Sequence, residues 1–313
     1  MKMMKNAIVA QSGGPTTAIN ASLAGVIKGC LESHEIDVLY GALNGVEGLM
    51  DERLVNLTDI FDHNEENLNV LKLTPAMYLG SCRRKLKDVD QDSSEYDIII
   101  NIFRKYHIHY FFYIGGNDSM DTVGKMSRYV KEHQMDVKVI GIPKTIDNDL
   151  VVTDHTPGFG SAARYVAASV LEMAHDTYIY NTKSVLIAEI MGRDAGWLTA
   201  ASVLARNSYS RAPHLIYLPE HPFSKEQFIE DIKAQFKQRE HIVIAVSEGL
   251  RDVDGHYISA ETAAVDAFGH ATLSGTGKCL EGLVAEKFGC KVRSVEINVL
   301  QRCAAHMASA TDI

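Results

Sequence analysis

"VKVIGIPKTIDNDL", residues 137–150, is an apolar run that breaks abruptly into charge. Its first six residues have the length and β-branched content of a short buried strand, and Pro143 with Asn148 suits a turn after it. Yet the turn carries more than turning requires, because Lys144, Thr145, Asp147 and Asp149 crowd into it. Two acids, a hydroxyl and a cation placed directly after a strand suggest groups gathered to meet a ligand.

The same arrangement recurs along the chain. Short runs rich in Val, Ile and Tyr predict strands at 6–10, 36–42, 109–116, 184–190, 214–219, 241–249 and 292–298, in addition to 137–142. Amphipathic segments predict helices at 17–32, 95–107, 119–133, 160–179, 195–207, 224–239 and 276–288. In "SKEQFIEDIKAQFKQRE" (224–240), Ser224 can cap a helix whose Phe228, Ile232 and Phe236 recur every four residues. Strand–helix alternation of this kind predicts an α/β fold with mainly parallel sheets flanked by helices. Ligands of such sheets bind at the C-terminal strand edges. The turns expected there are "SGGPTT" (12–17), "GGNDS" (115–119), "PKTIDND" (143–149), "MGRDAG" (191–196) and "SEG" (247–249).

Composition narrows the class. With 313 residues, 46% of them hydrophobic, the chain can form two lobes with large cores. A net charge of −9 argues against nucleic acid as a partner, so positive charge for an anionic ligand must be local. Five cysteines without a C-x-x-C pair point to reduced thiols and a cytoplasmic location. The N-terminus has only a four-residue apolar run, which predicts no signal peptide and no membrane association.

Gly13 and Gly14 stand between a strand and a helix, where backbone can approach an anion. "GGNDS" repeats the design, with Asp118 or Ser119 available to cap the next helix. Either turn alone is also an ordinary strand–helix connection; two of them suggest a phosphate site. "LGSCRRKLK" (79–87) adds Arg83, Arg84, Lys85 and Lys87, a solvated basic turn or a set of phosphate contacts. "LSGTGKCL" (273–280) fails the P-loop pattern, since Thr272 replaces its first glycine and Cys279 follows Lys278. The histidines show no metal grouping.

"SGG", "GSCRR", "GGNDS", "PKTIDNDL", "GFGSA", "IMGRDAGWL" and "SEG" occur here in the order seen in bacterial-type 6-phosphofructokinases, and the chain resembles that family from about residue 8 to residue 302. The resemblance implies two similar α/β lobes, about 1–150 with the donor and base loops and 151–313 for sugar-phosphate binding, with the active site in the cleft between them. It implies that Asp147 is the catalytic base toward the C1 hydroxyl of fructose 6-phosphate, that Asp149 helps organise Mg²⁺ or position the base, and that Asn117 stands at the Mg²⁺ site. Thr145 would bind substrate or the transferring phosphoryl group, Met191, Gly192, Arg193, Glu248, Arg293 and Arg302 the sugar phosphate, and Gly14 and Arg83 the donor. A homodimer or homotetramer is implied as well, because some phosphate contacts in the family cross a subunit interface.

Three positions depart from the family pattern. Val299 stands where many members have a phosphate-binding histidine. Ser184, preceded by Lys183, replaces a cross-subunit arginine. Asn117 replaces the acid of the common "GGD" turn and brings an amide oxygen without charge. Two other positions concern the donor: Asp118 and Lys144 are similar to pyrophosphate-using members, whereas ATP-using members typically have glycine at both. A carboxylate at 118 would repel an ATP α-phosphate by roughly 4 kcal/mol at 4 Å and an effective dielectric near 20. Lys144 would stabilise charge on the leaving phosphate. The expectation is therefore a reversible, diphosphate-dependent 6-phosphofructokinase. An ATP-dependent enzyme and a non-catalytic sugar-phosphate sensor are the alternatives. Because family members generally continue past Ile313, the second lobe is expected to be cut short at its C-terminus.

Overall fold

Successive residues of the first strand serve two different cores. Ala7 and Val9 pack with Ile19, Leu23 and Ile27, while Ile8 and Ala10 pack with Ile99, Phe103 and Met126. All four strand residues are inaccessible to solvent, as a strand covered by helices on both faces requires. The computed structural model describes residues 5–259 and 275–313. Thr272 and the first two residues of "LSGTGKCL" lie outside the described residues.

The chain forms two compact units, one extending to Thr145 and including Ala308–Ile313, the other Ile146–Met307. The first contains, in order, β1 (Asn6–Gln11), α1 (Ile19–Leu31), β2 (Leu39–Ala42), α2 (Gly45–Met50), β3 (Leu54–Asn56), α3 (Leu57–Phe61), α4 (Glu65–Leu73), α5 (Ser94–Lys105), β4 (Ile108–Gly115), α6 (Asn117–Glu132) and β5 (Lys138–Pro143). Its described strands form one sheet in the order β3-β2-β1-β4-β5. All pairs are parallel except β2 with β3. The strand order reverses at β1 and β4, whose carboxyl ends carry the Gly13–Gly14 and Gly115–Asp118 turns.

The second unit runs through α7 (Phe159–Tyr178), β6 (Ser184–Ile190), α8 (Trp197–Ala201), β7 (Leu215–Tyr217), α9 (Lys225–Phe236), β8 (His241–Ser247), α10 (Thr276–Phe288), β9 (Lys291–Glu296) and α11 (Leu300–Cys303). Its described strands form a parallel sheet in the order β7-β8-β6-β9. Leu186, Ala188 and Ile190 face the α7 side, and Val185 and Ile187 face α9 and α10. Ser224 caps α9 as expected, accepting Gln227 N–H at 3.1 Å, with Phe228 and Ile232 fully buried.

The architecture is the α/β class that the alternation predicts, and the local differences have physical causes. Strand β3, too short to give a periodic signal, was not foreseen. The helix expected over 195–207 ends at Ala201 and tightens into a 3₁₀ turn over Ser202–Ala205. Beyond it the Asn207 side chain accepts Tyr209 and Ser210 N–H at 2.8 and 2.9 Å, a turn that competes with continued helix. Helix α6 starts at Asn117 with Gly116 at its cap position and no side-chain cap, so neither Asp118 nor Ser119 performs the capping expected of it.

Candidate active site

In the first unit, turns from neighbouring strands are tied to one another. Ser12 Oγ and Ser119 Oγ lie 2.5 Å apart, joining the turns after β1 and β4. Lys144, the first residue after β5, donates its backbone N–H to Gly115 O at 2.9 Å. Its side chain turns inward, only 4% of the residue being exposed, and Nζ donates to Gly14 O at 2.6 Å. A buried ammonium is costly unless well partnered. The glycine turn provides one such partner.

The basic turn joins the same group. Ser81 Oγ donates to Gly13 O at 2.8 Å, which fixes "GSCRR" beside the glycine turn. Its cations then divide. Arg84 pairs with Glu95, whose side chain is largely buried, and Lys87 with Asp92 at 2.9 Å as a solvated ion pair. Lys85 instead reaches Asp118 at 3.1 Å, and that bond holds its ammonium above the usual lysine range. Arg83 is exposed. Sequence reasoning recognised the cluster but not this pairing, because the spacing of the two residues gives no sign of it.

The "TIDND" stretch alternates inward and outward. Ile146 is buried in the core of the second unit, and Asn148 is 6% exposed with a left-handed φ of 58°. Asn148 accepts Thr156 N–H at 2.9 Å and donates to Asp154 O at 3.2 Å, so it is the residue that shapes the turn. With these two side chains anchored, Asp147 is left half-buried and Asp149 exposed, while Thr145 is half-buried.

In the second unit the turns after β6 and β8 interlock. Glu248 N–H donates to Ile190 O at 2.9 Å. Its carboxylate, in a residue 7% exposed, accepts Gly192 N–H at 3.3 Å and Arg193 N–H at 3.2 Å, both on Oε1. Gly192 and Arg193 have φ of 144° and 49°. A side chain at Gly249 would bring a Cβ to 1.7 Å from Arg193 O, so only glycine permits this approach. Burial pushes the Glu248 carboxyl up to about 7, against the two N–H bonds, with the charges of Asp147 and Glu189 adding to the rise. Met191 is half-buried at the start of the turn and the Arg193 residue is exposed.

Not every expected sugar-phosphate residue joins this group. Arg293 sits within β9 in register with Leu186, five positions before Met191. At about 3.3 Å per residue that is roughly 16 Å along the sheet from the Met191 turn. Its guanidinium pairs with Asp176 at 3.1 Å. Ser184 is buried with Oγ 2.9 Å from His241 Nδ1, and Lys183 lies over the Phe236 ring at 5.3 Å. Lys291, paired in register with Ser184, shares a surface depression with Ser184 and Arg293. Arg302 lies on α11 and Val299 is exposed just before it.

Asn117 and Asp149 are both exposed hard-oxygen donors. Asn117 belongs to the first unit and Asp149 to the second, and each offers an oxygen of the kind Mg²⁺ takes, since that ion is bound by one or two carboxylates and substrate phosphates rather than by an all-protein cage. Among the described residues, the grouping of three metal-capable side chains is instead Asp252, Asp254 and His256. It is a surface turn in which Asp252 Oδ1 accepts the Asp254 and His256 N–H groups at 3.0 and 2.9 Å. No described helix is long and apolar enough to cross a membrane.

Two mainly parallel sheets with these turns at strand carboxyl ends are the framework of a phosphoryl-transfer enzyme. The phosphofructokinase family profile matches residues 6–303, and the chain belongs to that family. It is 40% identical over 311 residues to the pyrophosphate–fructose 6-phosphate 1-phosphotransferase of Halomonas elongata, covering 98% of this chain and 73% of the relative. To the protein of the same name from Xanthomonas campestris it is 42% identical over 309 residues, covering 98% and 73%. The crystal structure of the pyrophosphate-dependent phosphofructokinase from Nitrosospira multiformis superposes with a TM-score of 0.84 at 35% identity, covering 98% of this chain and 72% of that one.

Proposed function

We propose that the chain is a pyrophosphate-dependent 6-phosphofructokinase. It transfers a phosphoryl group from diphosphate to the C1 hydroxyl of fructose 6-phosphate, giving fructose 1,6-bisphosphate and phosphate, and runs in both directions. The observation that carries the donor assignment is Lys144, buried against the Gly13–Gly14 turn with its ammonium on Gly14 O, together with Asp118 in the first turn of α6.

In this reading the first unit handles the donor. Diphosphate lies against Gly14 and Arg83, and Lys144 stabilises the charge that builds on the departing phosphate. The C1 oxygen attacks phosphorus as the bond to the bridging oxygen breaks, and that electron pair leaves with phosphate. Asp147 accepts the hydroxyl proton. Thr145 holds the transferring group. Asp149, with the Asn117 amide oxygen, would hold Mg²⁺, which when bound offsets the negative charge of the diphosphate oxygens.

The second unit handles the sugar. Met191, Gly192 and Arg193 form its phosphate turn, and Arg302 supports the 6-phosphate. Because both N–H bonds fall on Glu248 Oε1, Oε2 is left to accept a sugar hydroxyl. Arg293, remote from that turn along its own sheet, serves a sugar phosphate held by a second copy, which makes the working protein a homo-oligomer. A cytoplasmic location accompanies this reading.

Aldolase-coupled turnover of fructose 6-phosphate with diphosphate or ATP, on wild type and Asp147→Asn, tests the assignment. Turnover with diphosphate that disappears in the variant is expected. Turnover with ATP alone would overturn the donor assignment.

A further inference from the structure

Among the described residues, one buried acid is left unused by this mechanism. Glu189, the penultimate residue of β6, is 4% exposed and stands alone among the apolar residues of "SVLIAEI". Its Oε1 accepts Gly275 N–H at 3.1 Å and its Oε2 accepts Gly277 N–H at 2.7 Å. These are unsatisfied donors at the start of α10, where a carboxylate is favoured both by charge-assisted bonding and by the helix dipole. A Cβ at Gly277 would stand 3.1 Å from Glu189 Oε2, so glycine lets the carboxylate close on the backbone.

Between the two clamped amides lies Thr276, inaccessible to solvent, whose Oγ1 donates to Glu248 O at 3.1 Å. The links close a circuit. Glu189 holds 275–277, Thr276 holds the Glu248 backbone, and the Glu248 carboxylate holds Gly192 and Arg193, in the turn that follows Glu189's own strand. Burial raises the Glu189 carboxyl, opposed by its backbone N–H bonds.

We propose that Glu189 is a positioning residue for sugar recognition, fixing through Thr276 the place and orientation of Glu248. The inference rests on the reading of Glu248 as the acceptor for a sugar hydroxyl. Glu189 itself touches no substrate. An amide there keeps the size but presents an NH₂ to one of the two backbone N–H donors, so one end of the clamp is lost. Thr276→Val removes the hydroxyl that carries the coupling while preserving side-chain shape.

The experiment compares wild type, Glu189→Gln, Thr276→Val, Glu248→Gln and the Glu189→Gln/Glu248→Gln pair by steady-state kinetics. Amide hydrogen exchange is followed at Gly192 and Arg193. Both clamp variants are expected to raise the KM for fructose 6-phosphate about tenfold while the diphosphate KM stays within about twofold. In the Glu248→Gln background the Glu189 substitution should add nothing further to the sugar KM, because the group it positions is gone. The Gly192 and Arg193 amides should exchange faster in both clamp variants.

Equal losses toward both substrates, or additive effects in the double variant, would make Glu189 a general scaffold residue and overturn the proposal. Unchanged exchange at Gly192 and Arg193 would overturn it as well. Wild-type protein that cannot turn over fructose 6-phosphate would instead overturn the proposed function, and the amide exchange would still decide the Glu189–Glu248 coupling.

Discussion

After β1, β4 and β5 the chain closes its turns with cations: Lys144 on Gly14 O and Lys85 on Asp118. After β6 and β8 it closes them with carboxylates: Glu248 on Gly192 and Arg193, and Glu189 on Gly275 and Gly277. Both sets stand at carboxyl ends of parallel strands, so the difference lies in what each is built to receive. A diphosphate is a dense polyanion, and cations held at the turns attract it. Fructose 6-phosphate adds neutral hydroxyls to its phosphate, and hydroxyls need fixed acceptors. Glu248, a buried carboxylate oriented by backbone N–H groups, provides one in the proposed function, at the cost of raised proton affinity. Under the proposed function, the first unit therefore discriminates by charge and the second by the geometry of acceptors.

Removing the group that acts on the transferred proton tests the comparison most severely. Asp147→Asn is expected to lower kcat about a thousandfold with little change in either KM, because a general base typically contributes 10²–10⁴-fold. A kcat loss under about tenfold would remove Asp147 from the base role.

The donor side breaks next. Replacing Asp118 and Lys144 together with glycine should lower kcat/KM for diphosphate about a hundredfold and admit ATP. Unscreened repulsion at 118 would suggest about a thousandfold penalty against ATP, since roughly 4 kcal/mol corresponds to that ratio. The Lys85 ion pair reduces it, because Asp118 already faces a cation at 3.1 Å. The gain in ATP use is therefore expected to be nearer tenfold to a hundredfold, and Lys85→Ala alone should weaken diphosphate binding. Competition between the two donors in the same coupled assay measures both effects. An unchanged preference would show that discrimination does not reside in these charges.

Much of this was legible because apolar strands, amphipathic helices and turn residues leave local periodic signals. The α/β class, the α9 cap at Ser224 and the turn-forming role of Asn148 all come from neighbours within a few positions. Contacts between distant segments leave no such signal. Lys85 meets Asp118 across 33 positions (118 − 85) and Glu189 meets Gly277 across 88. The requirement for glycine at 249 exists only because Arg193 O passes against it. Glu189 did leave a trace, a single acid inside an apolar strand, but burial gives that trace its meaning. Arg293 shows the converse. Its family position assigns it to a sugar phosphate, while its register opposite Leu186 places it away from the Met191 turn of the same chain.

The sugar side should respond to pH near neutrality. Folding raises the Glu248 carboxyl from 4.5 to about 7, so the folded chain holds this proton more tightly than the unfolded chain. The stability it contributes is present in full below about 4.5 and is lost as pH rises through about 7. Wild type should thus lose stability relative to Glu248→Gln across that window. Sugar binding follows the opposite course, because the hydroxyl acceptor is the carboxylate. The ratio of wild-type to Glu248→Gln affinity for fructose 6-phosphate should fall roughly fivefold from pH 7 to pH 6. Urea titrations and sugar KM values at several pH values measure the two trends, and a ratio independent of pH would show that Glu248 does not bind sugar through an ionised oxygen.

The smallest expected effect asks whether the acceptor geometry is insulated from the scaffold that carries it. Ser224→Ala removes the α9 cap that accepts Gln227 N–H at 3.1 Å, far in sequence from either clamped carboxylate. The loss should be about 1 kcal/mol, or a Tm lowered by roughly 2–4 °C for a unit of this size. Because Phe228 and Ile232 remain buried against β8, the Glu248 turn should keep its shape and the sugar KM its value. Thermal melts and steady-state kinetics on the one variant measure both quantities. If the sugar KM rises with the fall in Tm, the acceptors respond to any softening of the second unit. A sugar-specific effect of Glu189→Gln would then count for the clamp only through its disappearance in the Glu248→Gln background. If the Tm falls alone, the circuit from Glu189 through Thr276 to Glu248 is a local device, and its consequences can be read directly from single substitutions.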